Sequence, residues 1–148
     1  MTKIEWCVDY CLKIAEIDKL HIELVNMLNQ LIEERQTISE ESNIPELLSN
    51  LIDHVRYLFR NEESYLIQYR FPDFKEHRKQ HGEFLKKTIA CRRLFSDQNI
   101  SYLDSFIDDC KSWIASHILK CDMEYAPFIR IQLYLDQYEK LRFQKRFR

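Results

Sequence analysis

ELLSNLIDHVRYLFRNEESYLIQY, residues 46–69, is the stretch whose reading decides the fold. Leu48, Leu51, Val55, Leu58 and Leu66 recur at the three- and four-residue intervals that align side chains on one face of an α-helix. Glu62 falls in the same series, among apolar neighbours. Pro45 stands just ahead, where a first helical turn tolerates a missing N–H. Phe71-Pro72-Asp73 ends the segment, because the residue before a proline is pushed out of the α region.

The same periodicity extends in both directions. Upstream, Ile17, Leu20, Leu24, Leu28 and Leu31 predict a first helix, separated from the second by a loop over Thr37 to Asn43. Downstream, a third helix is expected over Phe74 to Phe95, with Phe84, Leu85, Thr88 and Leu94 in its stripe. A loop is expected at Ser96 to Asn99, with one of its polar residues placed to cap the next helix. That fourth helix runs from about Ser101 past His117 into the mid-120s. Leu103, Phe106, Cys110, Trp113, Ile114 and Ile118 are its inward positions. One glycine and three prolines in 148 residues leave little for the turns of a sheet. The expectation is an all-α chain: an antiparallel up-down-up-down four-helix bundle.

Residues 1 to about 14, with Trp6 and Tyr10, read as an arm laid over the bundle. Pro127 predicts a break or kink, dividing a bundle at 1–128 from a basic helical extension at 129–148. That extension ends on Lys140, Arg142, Lys145, Arg146 and Arg148 with no acid among its last nine residues. It reads as a solvated surface helix, with a protein partner or an anionic surface as the alternative. A net charge of -2 gives no global pull toward nucleic acid, and no apolar run is long enough to span a membrane. Cys7, Cys11, Cys91, Cys110 and Cys121 are odd in number and contain no CxxC pair, unlike a disulfide framework. MTKIEWCVDY has no apolar leader core, so a cytoplasmic, reducing location is expected.

The chemistry lies in polar residues at inward positions. His77 and His81, at i and i+4, share one helix face. His117 and Asp122 are five apart, about 140° around an α-helix, yet both can flank a central point. Asp18 and His21 form an i, i+3 pair. An inward carboxylate is costly unless paired or bound to a metal, so His21, Glu62, His77, His81, His117 and Asp122 form a candidate metal cluster. Imidazoles and carboxylates without thiolate suit iron or manganese. Glu63 is expected to point outward into solvent, and Cys121 to pack as a small residue.

Four stretches, IDKLH at 17–21, FRNEESYL at 59–66, HRKQH at 77–81 and WIASHILKCDMEY at 113–125, carry a resemblance. From about Trp6 to Phe128 the chain resembles the hemerythrins, particularly the single-domain bacterial kind. The resemblance implies a four-helix bundle holding two irons. It places His77, His81 and His117 on one iron, Glu62 and Asp122 as bridging carboxylates, and His21 on the second iron, where dioxygen binds. Leu58, Trp113 and Ile118 would line that pocket, and Asp18 would orient an imidazole.

One departure matters. The family pattern HFxxEE reads LFRNEE here, so Leu58 stands where a histidine ligand is expected and the second iron becomes weak or labile. His54, one turn earlier and about 6 Å away along the axis, is a candidate substitute ligand or a hydrogen-bonded pocket histidine. The leading expectation is a non-haem diiron protein that binds dioxygen for storage, delivery or sensing. The alternatives are redox, peroxide or nitric oxide chemistry at a modified iron site, or an iron-dependent structural or partner-binding module. No separate acid–base residues or substrate pocket are legible, which weighs against an enzyme.

Overall fold

Each apolar stripe folds as a helix that buries it against the next. In the computed structural model, which describes residues 1–37, 42–95 and 99–147, α1 is Ala15–Gln36, α2 Ile44–Gln68, α3 Phe74–Leu94 and α4 Ile100–Trp113. α4 passes directly into a π-helix, Ile114–Asp122, and then into α5, Met123–Arg146. α1 packs on α2, α2 on α3 and α3 on α4, and α4 closes the ring against α1. No strand occurs among the described residues. The two expected interhelix loops fall largely outside the described residues, and Asn99, preceding α4, makes no side-chain cap bond.

The expected stripes of α1 and α2 are buried without exception. In α3 the register differs at two positions: Leu85, which is only half-buried, and Leu94. Leu94 is 45% exposed and Cys91 is buried in its place, because His77, His81, Phe84, Thr88 and Cys91 advance by alternating fours and threes and Leu94 falls off that line. Thr88, in this apolar face, satisfies its hydroxyl on the Phe84 carbonyl at 3.0 Å.

α2 ends in a reciprocal pair of backbone bonds, Phe71 N–H to the Leu66 carbonyl at 2.9 Å and Arg70 N–H to the Ile67 carbonyl at 3.2 Å. This is the Schellman arrangement, which requires a left-handed residue. Arg70 supplies it at φ 55, a conformation that costs a residue with a Cβ about 1 kcal/mol. The turn delivers α3 with His77 and His81 facing Glu62.

The arm is pinned as well as packed. The Asn29 amide bonds the backbone of Ile4 in both directions, at 2.8 and 2.9 Å. Leu12 is fully buried, its N–H donates to Asp18 Oδ1 at 2.8 Å, and its carbonyl accepts from Arg130 at 2.7 Å. Trp6 reaches 6.3 Å from the His21 ring.

The helix does not break at Pro127, which lies inside α5. Proline costs one backbone bond there, but Tyr125, Ala126 and Ile129 are buried on either side of it and hold the helix to the bundle. Further along, Tyr69 donates to Asp136 at 2.6 Å. Beyond that point the helix projects with Tyr138, Leu141, Phe143 and Phe147 exposed.

Arg70→Gly should stabilise the protein by about 0.5–1 kcal/mol, because glycine adopts the left-handed conformation without a Cβ penalty. Urea unfolding monitored by helical circular dichroism checks it.

Candidate metal centre

The bundle interior contains a polar island inside an apolar core. His21 comes from α1, Glu62 from α2, His77 and His81 from α3, and His117 and Asp122 from the π-helix. All six are buried. Single ligand atoms of Glu62, His77, His81, His117 and Asp122 lie within 4.8 Å of one another.

The two carboxylates divide the island. His81 Nε2 is 3.0 Å from Glu62 Oε2, and His77 and His117 Nε2 are 3.2 and 3.1 Å from Asp122 Oδ1. The other oxygens face His21, whose Nε2 is 2.6 Å from Glu62 Oε1 and 3.5 Å from Asp122 Oδ2. One side therefore collects three imidazoles and two carboxylate oxygens, the other one imidazole and two oxygens. None of these nitrogens or oxygens has an aligned hydrogen-bond partner. Buried polar atoms are almost always satisfied, and a convergent set left unsatisfied fits the coordination sphere of a cation.

The imidazoles are aimed by their outer nitrogens. His81 Nδ1–H donates to Glu63 Oε1 at 3.0 Å, and His117 Nδ1–H donates to Gln80 Oε1 at 2.9 Å. Each bond leaves the Nε2 lone pair pointing inward, the tautomer a metal requires. Glu63 is thus not simply solvated, as its outward position suggested: its side chain is 20% exposed and holds a histidine. Gln80 escaped sequence reasoning, because its role depends on the distance between α3 and the π-helix. Cys121, expected to pack, donates its thiol to the same Gln80 oxygen at 3.0 Å.

The π-helix explains the five-residue spacing of His117 and Asp122. In an α-helix the pair would diverge, whereas i→i+5 bonding brings residues five apart toward alignment. Both then point at one centre. Sequence periodicity does not reveal this, since apolar residues recur much as they would in an α-helix.

Aromatic rings wall the three-histidine side. Phe59 stacks on His81 at 3.8 Å, Trp113 on His117 at 4.3 Å and on Phe84 at 4.2 Å. Trp113 therefore covers His117 and makes no ring contact with His21. Ile118 and Leu58 are fully buried. Tyr125 is a further residue missed in sequence: its ring is 5.3 Å from His77, and its hydroxyl is buried without a partner. Burial, reinforced by Glu62 and Asp122, pushes that phenol well above its ordinary range and keeps the proton on it.

Two expected helpers sit elsewhere. Asp18 is bonded to Leu12 N–H and to the Cys11 thiol at 2.8 and 3.2 Å, so it fastens the arm and does not orient His21. His54 donates from Nε2 to the Leu20 carbonyl at 2.9 Å, tying α2 to α1 beside His21. It is not among the residues that converge on the centre.

Without metal the island is held by protons. Burial alone would lower His21, but Glu62, and then Asp122, raise it above its ordinary value. His77, opposed by burial, is pushed up to about 9 by Asp122 and Glu62. Burial would raise Glu62, yet His21, His77 and His81 hold it well below the usual carboxylate range. A cation would take the place of those protons.

A four-helix bundle with a buried histidine–carboxylate centre defines a cation-binding class. The chain belongs to the hemerythrin family: residues 12–129 match the hemerythrin HHE cation binding domain. The bacteriohemerythrin of Clostridium acetobutylicum is 26% identical over 125 residues, covering 81% of this chain and 96% of its own length. A hemerythrin-like protein of Naegleria gruberi is 25% identical over 120 residues, 81% of this chain and 88% of that one. The crystal structure of a hemerythrin point mutant overlays with a TM-score of 0.73 at 21% identity, over 87% of this chain and 98% of that one. That likeness speaks for the fold.

His77→Ala should remove at least one bound metal per chain, measured by elemental analysis. In metal-free protein, His77 carries a pKa of about 9 against an ordinary 6.5. The stability it contributes is complete below about 6.5 and is lost as pH rises through about 9. The thermal midpoint of the metal-free protein should fall across that window, and His77→Ala should flatten the fall.

Proposed function

We propose that this protein is an iron-binding hemerythrin-like module with one complete and one donor-poor metal position, suited to redox or small-ligand chemistry at a modified site. The observation that supports this is the uneven division of donors across Glu62 and Asp122. Three imidazoles stand on one side and His21 alone on the other, with apolar Leu58 buried one turn before Glu62. His77, His81 and His117 with one oxygen from each carboxylate would hold the tight ion. His21 and the remaining oxygens would hold a second weakly. Iron there would supply a one-electron couple and open coordination positions for a diatomic ligand.

The chain's own residues set the conditions. Glu63 and Gln80 fix the imidazole tautomers. Phe59 and Trp113 stack on His81 and His117, and Phe84 backs Trp113. The imidazoles are buried, and desolvation strengthens every charge interaction inside. Reversible dioxygen binding is the second reading, favoured by the buried apolar Leu58 and Ile118. It needs two matched irons, and the second position lacks a donor for that.

Metal content per chain, with spectra of the reduced protein before and after oxygen, tests the proposal. One iron should survive dialysis against a chelator while a second is lost, and oxidation should not reverse when oxygen is removed. Two retained irons with a reversible visible band would overturn it.

Leu58→His should raise metal content toward two per chain, at a packing cost of roughly 2–4 kcal/mol in the metal-free protein. His54→Ala should leave the metal count unchanged and lower stability by about 1 kcal/mol through loss of its bond to Leu20. Loss of metal in that variant would make His54 a ligand.

A further inference from the structure

Outside the metal centre, α2 and α3 leave a cleft of about 420 Å³ opening to solvent, within the size range of small-molecule sites. Its back wall is His81 with Glu63. Its apolar lining is Phe59, Leu85 and Ile67, of which Ile67 is 59% exposed. Its rim is cationic: Arg56 and Arg60 come from successive turns of α2, and Arg78 faces them from α3.

Two features of this cleft have no explanation within the chain. The first is charge. Three guanidiniums line it and Glu63 is the one carboxylate, already bonded to His81 at 3.0 Å and 3.8 Å from Arg78. Arg56 reaches only an exposed Asp53 at 3.8 Å, and Arg60 has no ion pair or side-chain hydrogen bond among the described residues. Like charges at i and i+4 destabilise a helix by a few tenths of a kcal/mol. The second is Gly82. It is the one glycine in the sequence, it sits inside α3, and its φ is not positive. Glycine there costs about 1 kcal/mol relative to alanine. A Cβ at that position would meet nothing within 4 Å, so neither backbone conformation nor packing requires glycine. Its bareness widens the cleft beside His81.

We infer that this cleft binds a small organic carboxylate with a flat or short apolar body. The body lies on Phe59, Ile67 and Leu85 in the room Gly82 leaves, and the carboxylate meets Arg60 together with Arg56 or Arg78. Guanidinium suits a planar carboxylate because two parallel N–H donors match its two oxygens. The arginines that would meet the carboxylate are not ligand candidates, although His81 of the back wall is one.

Benzoate is the probe, with acetate (charge without the body) and benzyl alcohol (body without the charge) as controls. Amide chemical shifts are followed by NMR in both metal-free and metal-loaded protein. Benzoate should shift the Gly82 amide and its neighbours saturably, and bind about tenfold or more tightly than either control. Arg60→Gln should weaken benzoate by about fivefold or more. Gly82→Ala should do the same while raising the thermal midpoint, which separates a filled site from a damaged fold. Absence of saturation with benzoate, benzyl alcohol binding as well as benzoate, or unchanged benzoate affinity in Gly82→Ala would each overturn the assignment.

Discussion

Two carboxylates buried side by side in a helical core constrain everything around them. Glu62 and Asp122 have lost essentially all contact with water, and isolated charges in such a place would be prohibitively costly. Four imidazoles surround them, from α1, α3 and the π-helix. With metal absent, the acids raise His21, His77 and His81 above their ordinary values and so favour their protonated forms; a cation would be met by the same atoms as donors. The core therefore needs its electrostatic partner in either state, and each helix must stand in register to supply it.

The rest of the structure serves that register. The turn at Arg70 fixes where α3 begins and so where His77 and His81 stand. The π-helix brings His117 and Asp122 onto one centre, a geometry an α-helix would not give. Asp18 and Arg130 clamp the backbone of Leu12, holding the arm that carries Trp6 toward His21. Glu63 and Gln80, on neighbouring elements, hold the outer nitrogens of two imidazoles. Centre and scaffold are in this sense one cooperative unit, because a shift in any helix would leave a buried charge without its partner.

The asymmetry of the centre has an equally simple cause. A carboxylate has two oxygens, and both acids present one to each side, so donors are shared evenly until the imidazoles are counted. On α2, the residue one turn before Glu62 is Leu58, fully buried hydrocarbon with no donor to offer. His54 stands one turn further away and spends its N–H on the Leu20 carbonyl, a bond that secures α1 against α2. Packing is served on that side where coordination is served on the other.

The sequence by itself determined the helices, their inward faces, and the identity of the six polar residues that meet inside. Those come from local periodicity and from the cost of burying an unpaired charge, both of which can be read one helix at a time. Leu58 was legible as a departure only through the family resemblance, since periodicity alone reads it as an ordinary core leucine. Only the tertiary structure decided how those residues are arranged. The π-helix over Ile114–Asp122 is what lets His117 and Asp122 point at one centre. Gln80 and Glu63 acquire roles through contacts across α2, α3 and the π-helix, and Asp18 turns to the arm because Leu12 presents an N–H there. The continuity of α5 through Pro127 comes from buried neighbours that outweigh a local preference. Local chemistry names the participants; distances between helices, set by packing of the whole chain, assign their partners.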